Sequence, residues 1–380
     1  MSEPNSPVEQ PARLLSLDLF RGLVMFLLVA EGAGIYRALS SGGNKDGLLG
    51  SLLIQFTHHP WHGLRAWDLV QPAFMFIVGV AMVYSINKRV SQGDAWGTIG
   101  KHIYIRCLLL LAFGTGLHCI YAGEMVWILR NVLAQLAFTI LFTFLIFRMP
   151  RKTQLGISIG LILLTDITYR VFSVEGFNNP YTPGENFGTW MDTVLRNPIS
   201  TQGHWVAINA IPTTAHTIWG ALVGRLLCSE KSAQEKLKIL IYAGLGGLAL
   251  GYLMNWGFGS DTLKIPIIKR ICTGSFIYAS GGWCLLILAL FYYAIDLKGW
   301  KPKWLYIINV VGTNSIFIYL TAQLLGGRWL RPNVDIFSEG IFGSIGFSPA
   351  WVQLFTALGT WFILWYLCHW LYQRKIFLKI

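Results

Sequence analysis

Residues 57 to 72 read Thr-His-His-Pro-Trp-His-Gly-Leu-Arg-Ala-Trp-Asp-Leu-Val-Gln-Pro, so three of the chain's eight histidines, His58, His59 and His62, fall within five positions. Imidazole titrates near neutral pH, so a histidine here can take a proton from an amine or hydroxyl nucleophile under ordinary conditions. Metal binding is the rival chemistry, because His58 and His62 are four residues apart. Pro60 between them opposes a continuous helix carrying both, and no matching Cys/His/Asp cluster stands elsewhere in the sequence, so no metal is expected. Asp68, at the start of the apolar run that follows, can cap that helix or orient one of the histidines. Trp61, Asp68 and His204 are the candidates for contact with a substrate.

Other polar residues sit where a lipid-embedded helix would not carry them without a partner or a cavity. Asp18 and Arg21 are spaced i, i+3 at the start of an apolar segment and can pair on one face. Glu31 lies near the far end of that segment, where a carboxylate is either protonated or lines water. Arg106 and Arg130 stand within later apolar segments, and Arg130 is expected to pair inward with Glu31 or Asp68. His204, Asn209, Thr213, Thr214 and His216 surround Pro212, and Asn314 and Ser315 interrupt another apolar run. Together they predict a polar cavity opening to one side of a membrane.

The elements that must hold these side chains follow from composition. The chain has 380 residues, 54% hydrophobic and only 13% charged, against about 25% charged in a soluble domain. Ten windows are long and apolar enough to cross a bilayer, approximately 17–36, 68–87, 98–119, 125–147, 153–172, 204–228, 236–257, 274–296, 303–325 and 350–373. The expected fold is therefore an all-α bundle of about ten transmembrane helices, one domain over residues 1–380. Arg13, Lys88, Arg89, Lys101, Arg148, Arg151, Lys152, Lys231, Lys236, Lys238, Lys298, Lys301, Lys303, Arg374, Lys375 and Lys379 crowd the short loops of one side. That side reads as cytoplasmic, with both termini in it and the His58 segment opposite. The net charge of +12 belongs to this asymmetry, and nucleic acid is excluded as a partner. The six cysteines form no Cys-x-x-Cys pair and read as small core residues. Gly247 and Gly251 form a small-xxx-small pair expected to serve packing. The polar opening Met1–Ala12 predicts no cleavable leader before the first span.

These residues carry a resemblance. Arg13-Leu14-Leu15-Ser16-Leu17-Asp18-Leu19-Phe20-Arg21-Gly22 resembles the R-x-x-S-x-D-x-F-R-G opening of the heparan-α-glucosaminide N-acetyltransferase family and its bacterial transmembrane relatives. His58-x-x-Trp61-x-Gly63-Leu64 followed by Asp68-Leu69-Val70-x-Pro72-x-Phe74-x-Phe76-Ile77-x-Gly79 is similar to the family's second motif. The likeness continues through Arg130-x-Val132-Leu133-x-Gln135, the stretch Ile211 to Gly220, Thr273-Gly274-Ser275-Phe276 and Gly312-x-Asn314-x-Ile316.

The resemblance implies a polytopic enzyme that takes an acetyl group from cytoplasmic acetyl-CoA to the amine of glucosamine or an amino-sugar oligosaccharide across the membrane. It implies His58 as the catalytic residue and places Glu31 closest to a functional family asparagine near the end of the first span. As expectations, Glu31 and Asn314 join His58 in the chemistry, Glu31 by pairing with an incoming ammonium, while Asn314, Ser275 or Arg130 donates to the oxyanion. Asp18, Arg21, Arg130 and Ser275 are expected to serve acetyl-CoA, with Lys88, Arg89, Arg148, Arg151, Lys152 and Arg225 near its phosphates. Acetyl-CoA, an amino sugar, membrane lipid and a second copy in a homodimer are the expected partners, in an inner (cytoplasmic) membrane. The competing class is an amino-sugar transporter with a His/Arg/Glu proton relay.

Overall fold

The computed structural model describes residues 14–41 and 47–378. The expectations placed on Met1–Ala12, Arg13 and Lys379 lie outside the described residues. The fold is all-α. In chain order the helices are α1 (Leu15–Gly32), α2 (Ile35–Ser41), α3 (Leu48–Leu53), α4 (Val70–Ser91), α5 (Trp96–Ala122), α6 (Val132–Leu145) and α7 (Arg151–Val171). They continue as α8 (Phe187–Val194), α9 (Ala210–Leu227), α10 (Ala233–Trp256), α11 (Gly274–Phe291), α12 (Leu305–Thr313), α13 (Ser315–Thr321), α14 (Arg331–Ser338) and α15 (Pro349–Gln373).

Every one of the ten apolar windows contains helix, but not every helix is a span. Among the described residues six helices are long and apolar enough to cross a membrane, or up to eight if each of two bent pairs is one span. The first pair is α1 with α2, bent by 57°, and the second is α12 with the segment Ser315–Gly343, bent by 84°. Two windows fall short for local reasons. In the fourth, Gly123 ends α5 at φ 73°, and α6 begins only where the Asn131 side chain accepts from the Ala134 amide at 2.9 Å, leaving 14 helical residues. In the sixth, α9 carries Thr213, Thr214, His216 and Thr217, which dilute its apolar character.

The chain forms two compact units, one built on Gln71–Tyr293 and one that joins Ser16–Val70 to Ala294–Ile380. In the first unit helices meet backbone to backbone at glycines. A Cβ added at Gly251 of α10 would lie 2.6 Å from the Ala279 amide nitrogen of α11, and one at Gly247 would lie 3.1 Å from the Tyr278 carbonyl. The pair expected to serve packing does so. Gly79 of α4 and Gly220 of α9 face each other in the same way, Gly79 against the Thr217 carbonyl and Gly220 against that of Phe76. Side-chain amides of Gln71 and Gln135 pair across α4 and α6.

Three of the polar residues around Pro212 are packed within protein. Thr213, Thr214 and His216 are fully buried. Nδ1 of His216 meets the Thr213 hydroxyl at 3.1 Å, and its Nε2 meets the Ser280 hydroxyl at 3.0 Å. The Thr214 hydroxyl donates to the Ala210 carbonyl at 2.6 Å. For these three side chains protein rather than water supplies the hydrogen-bond partners.

In the second unit, α1 crosses α12 at two glycines. A Cβ on Gly22 would stand 2.7 Å from the Ile308 carbonyl oxygen, and one on Gly312 would stand 2.8 Å from the Cα of Gly22. Phe26 of α1 packs edge-on against Trp361 of α15, with ring centroids 5.1 Å apart. The Ser16 amide donates to the Asp296 carboxylate at 3.2 Å. Gly34, at φ 85°, makes the turn from α1 into α2.

Candidate active site

Asp68 is fixed by the turn that contains it. Arg65, in extended conformation, caps a short helical turn over Ala66–Leu69 that runs into α4. Its amide donates to Oδ2 of Asp68 at 3.0 Å, and the His59 amide donates to the same oxygen at 3.2 Å. The other oxygen, Oδ1, lies 2.8 Å from Nδ1 of His58. The carboxylate is 1% exposed and the imidazole 34%, so a buried anion holds a ring that reaches the surface. An ionised carboxylate only accepts, so Nδ1 carries the proton and Nε2 the lone pair. That is the tautomer and orientation a general base needs.

The loop around this pair is stiffened from several directions. The Arg65 guanidinium donates to the Thr57 hydroxyl at 2.8 Å and to the His58 carbonyl at 2.9 Å. Gly63 sits at φ 134°, and a Cβ there would come within 2.6 Å of the His59 ring. Tyr36 of α2 stacks on Phe56 at 4.8 Å and meets Trp67 edge-on at 5.2 Å, while its hydroxyl donates to the Leu27 carbonyl at 3.1 Å. Trp67 in turn lies 6.4 Å from the His58 ring. Burial, then the positive charges of Arg65 and His62, hold His59 below the usual histidine value, against the pull of Asp68. Among the described residues no group of three or more His, Cys, Asp or Glu is placed to hold a metal ion.

Six further expected residues fall into two groups. In the second unit Asp18 and Arg21 form the predicted i, i+3 ion pair at 2.8 Å. Glu31 is exposed at the end of α1 and close enough to Tyr36 to act on it electrostatically. Asn314 is fully buried at the break between α12 and α13. Its amide nitrogen donates to the Ile376 carbonyl at 3.0 Å and its oxygen accepts from the Leu378 amide at 2.7 Å. Asn314 therefore clasps the segment after α15. In the first unit the Ser275 hydroxyl donates to the Pro266 carbonyl at 2.9 Å and shares a 3.1 Å hydrogen bond with that of Thr273. Arg130 donates to the Pro198 carbonyl, and the carboxylate that offsets its charge is Asp192, where the sequence predicted Glu31 or Asp68.

His204 stands at φ 51° in the loop before α9, its amide donating to the Ser200 carbonyl at 2.9 Å. The adjacent Trp205 lies under the guanidinium of Arg270 at 4.7 Å and the ammonium of Lys269 at 5.4 Å. Trp61 is half-buried. Among the basic residues expected near phosphates, Arg225 donates to the Phe147 carbonyl and lies over its ring at 4.4 Å, and Arg148 covers Trp96 at 5.5 Å.

Arg65 was not among the expected site residues, although its place three residues before Asp68 is a capping spacing. Sequence reasoning also missed Asp192, buried at 1%, whose carboxylate accepts from the Ala207 amide at 3.0 Å and from the Asn197 side chain at 2.9 Å. Burial raises the Asp192 carboxyl above the ordinary range, opposed by those two donors and by Arg130. A carboxylate just ahead of an apolar segment was the available signal.

No protein-family model matches the chain. Among curated proteins it is similar to heparan-alpha-glucosaminide N-acetyltransferase of Homo sapiens, at 24% identity over 97% of this chain and 60% of the relative. The protein of the same name from Mus musculus is 22% identical, over 100% of this chain and 62% of its own length. The chain spans about three fifths of the length of these relatives. It is a membrane protein distantly homologous to the heparan-alpha-glucosaminide N-acetyltransferases.

Proposed function

We propose that the chain is a transmembrane acyltransferase, one functional domain over residues 1–380, that moves an acetyl group from acetyl-CoA to the amine of glucosamine or an amino-sugar oligosaccharide. The observation that carries this reading is the His58 Nδ1 to Asp68 Oδ1 hydrogen bond of 2.8 Å around a carboxylate that is 1% exposed. The distant homology to acetyl-CoA-dependent N-acetyltransferases supports it, and the mechanism follows from the dyad. The acceptor amine attacks the thioester carbonyl, the C–S bond breaks, and CoA leaves as a thiolate. Nε2 of His58 takes the proton lost by the nitrogen and returns it to the thiolate, while Asp68 stabilises the imidazolium between the two transfers. Glu31, exposed at the end of α1, pairs with the ammonium form of the acceptor, which gives one proton to solvent before the neutral amine attacks. Trp61 reads the sugar, and Asp18 with Arg21 serves the phosphates of CoA. Asn314 acts by positioning, through the segment it clasps.

The topology that suits this chemistry is ten spans in a cytoplasmic membrane, with both termini cytoplasmic and the His58 loop on the opposite side. Incubating the purified protein with acetyl-CoA and a panel of amino sugars, followed by mass analysis, tests the reaction. An N-acetylated amino sugar is expected, lost in His58→Ala while acetyl-CoA still binds. Acetylation of hydroxyls alone, or movement of an amino sugar across liposomes without acetylation, overturns the reading. Labelling of a Cys introduced at position 58 from the cytoplasmic side alone overturns the topology.

A further inference from the structure

A cavity of about 510 Å³ lies within the first unit, between α5, α6, α8 and the start of α9. Its volume is within the roughly 300–1,000 Å³ of small-molecule sites. Of its lining, Ala134, Ala137 and Ala207 are buried and serve as the floor, and Leu108 and Phe138 are exposed and serve as the rim. The rim residues are 66% and 43% exposed, on the side where α5, a candidate span, turns further apolar residues outward. Apart from the Tyr104 hydroxyl and the Cys107 thiol the lining side chains are hydrocarbon or thioether. A pantetheine arm or a sugar entering such a wall would leave amides or hydroxyls without partners, whereas an alkyl chain has none to lose.

The cavity also has a direction. Between Ala134 and Leu141 it follows α6 for about 10 Å at 1.5 Å per residue, and Leu129 and Leu195 close the end where α6 begins. The residues next in the chain are Arg130 and Arg196. The Leu129 amide donates to the Asn197 side chain at 3.2 Å, which ties the two loops together and brings both arginines to that end. The acidic group there, Asp192, is buried and already accepts from Asn197 and Ala207. Arg130 and the exposed Arg196 outnumber that one buried, already paired carboxylate, above a channel that admits hydrocarbon from the side.

We infer that this cavity is a binding site for a single anionic phospholipid, with one acyl chain along α6 toward Tyr104 and the phosphate against Arg130 and Arg196. Hydrophobic burial supplies affinity, and the charge-assisted contacts select the headgroup.

Native mass spectrometry of the purified full-length protein, with phosphatidylglycerol and phosphatidylcholine of identical chains added in turn, tests the site. One retained phosphatidylglycerol is expected, favoured over phosphatidylcholine by roughly tenfold, the effect of a single good ionic contact. Arg196→Ala should remove the preference and keep weak binding of both lipids. Ala137→Phe, which fills the floor, should abolish retention of both. Its folding is checked by thermal unfolding, and Leu108→Trp at the rim offers the same block from an exposed position. Equal retention of both lipids, unchanged in Ala137→Phe and Leu108→Trp, overturns the site in favour of a non-specific lipid annulus. Dissociation of a dimer in Ala137→Phe, with no lipid found in the wild type, overturns it in favour of a contact between copies of the chain.

Discussion

Three donors converge on the Asp68 carboxylate, one of them the imidazole of His58 and two of them amides of the same loop. The substitutions that separate these duties differ in outcome. Asp68→Asn keeps an acceptor for the capping amides but loses the charge that stabilises the imidazolium. Turnover is expected to fall about 10²- to 10⁴-fold, with acetyl-CoA binding retained, in a steady-state acetylation assay. Asp68→Ala should in addition leave buried amides unpaired and cost about 1–3 kcal/mol of stability. Arg65 acts one step back, since its guanidinium holds the His58 carbonyl and the Thr57 hydroxyl. Arg65→Ala should lower kcat more than KM. It also removes a cation from beside His59, so the His59 value, held below 6.5 by burial and by Arg65, should rise in a histidine NMR titration. The sign matters: the folded loop favours neutral His59, so its contribution is intact above the unfolded value and is lost as pH falls through the lowered one. A His59 that titrates above 6.5 in the wild type would contradict this picture. The pairing of His58 with Asp68 was legible because the two lie ten residues apart around a helix start. The roles of Asn314 and Arg130 were not, because their partners, Ile376, Leu378 and Pro198, are main-chain groups of remote segments that no side-chain pattern announces.

Helices in this protein approach most closely where side chains are missing. Gly79 and Gly220 bring α4 and α9 into backbone contact, whereas Gly116 of α5 has open space around its Cα. Gly220→Ala is therefore expected to destabilise the protein by about 1–3 kcal/mol through overpacking. Gly116→Ala should be neutral or stabilising by a few tenths of a kcal/mol to about 1. Thermal unfolding in one detergent compares the two, and equal effects would show that the crossing carries no strain. Hydropathy alone located helix in all ten windows because apolar runs of that length have few alternatives. It could not show that α6 would begin late at its Asn131 cap, nor that the α1 and α12 windows would bend at Gly34 and Asn314. Those outcomes depend on caps and on packing partners rather than on average hydropathy. Two glycines of the family-like motifs, Gly22 and Gly312, turn out to meet each other, so part of what looked like a catalytic signature is a helix crossing.

The grouping of residues into units runs across the order of the chain. The second unit takes its first part from Ser16–Val70 and the rest from Ala294–Ile380, with Gln71–Tyr293 between them. No local feature of the sequence signals this, since both parts read as ordinary apolar spans. Deleting Ala294–Ile380 removes Gly312 and Trp361, the partners of Gly22 and Phe26. Limited proteolysis of the truncated protein should therefore cut within residues 16–70 while the stretch from Gln71 to Tyr293 resists. Cutting in both stretches at equal rates would refute the division. During synthesis the same arrangement imposes a wait. At about 5–20 residues per second, α1 leaves the ribosome roughly fifteen to sixty seconds before the α12 surface that its glycine must meet. Through that interval α1 is a nascent segment without its mate, and the insertion machinery or lipid has to shelter it until translation reaches α12.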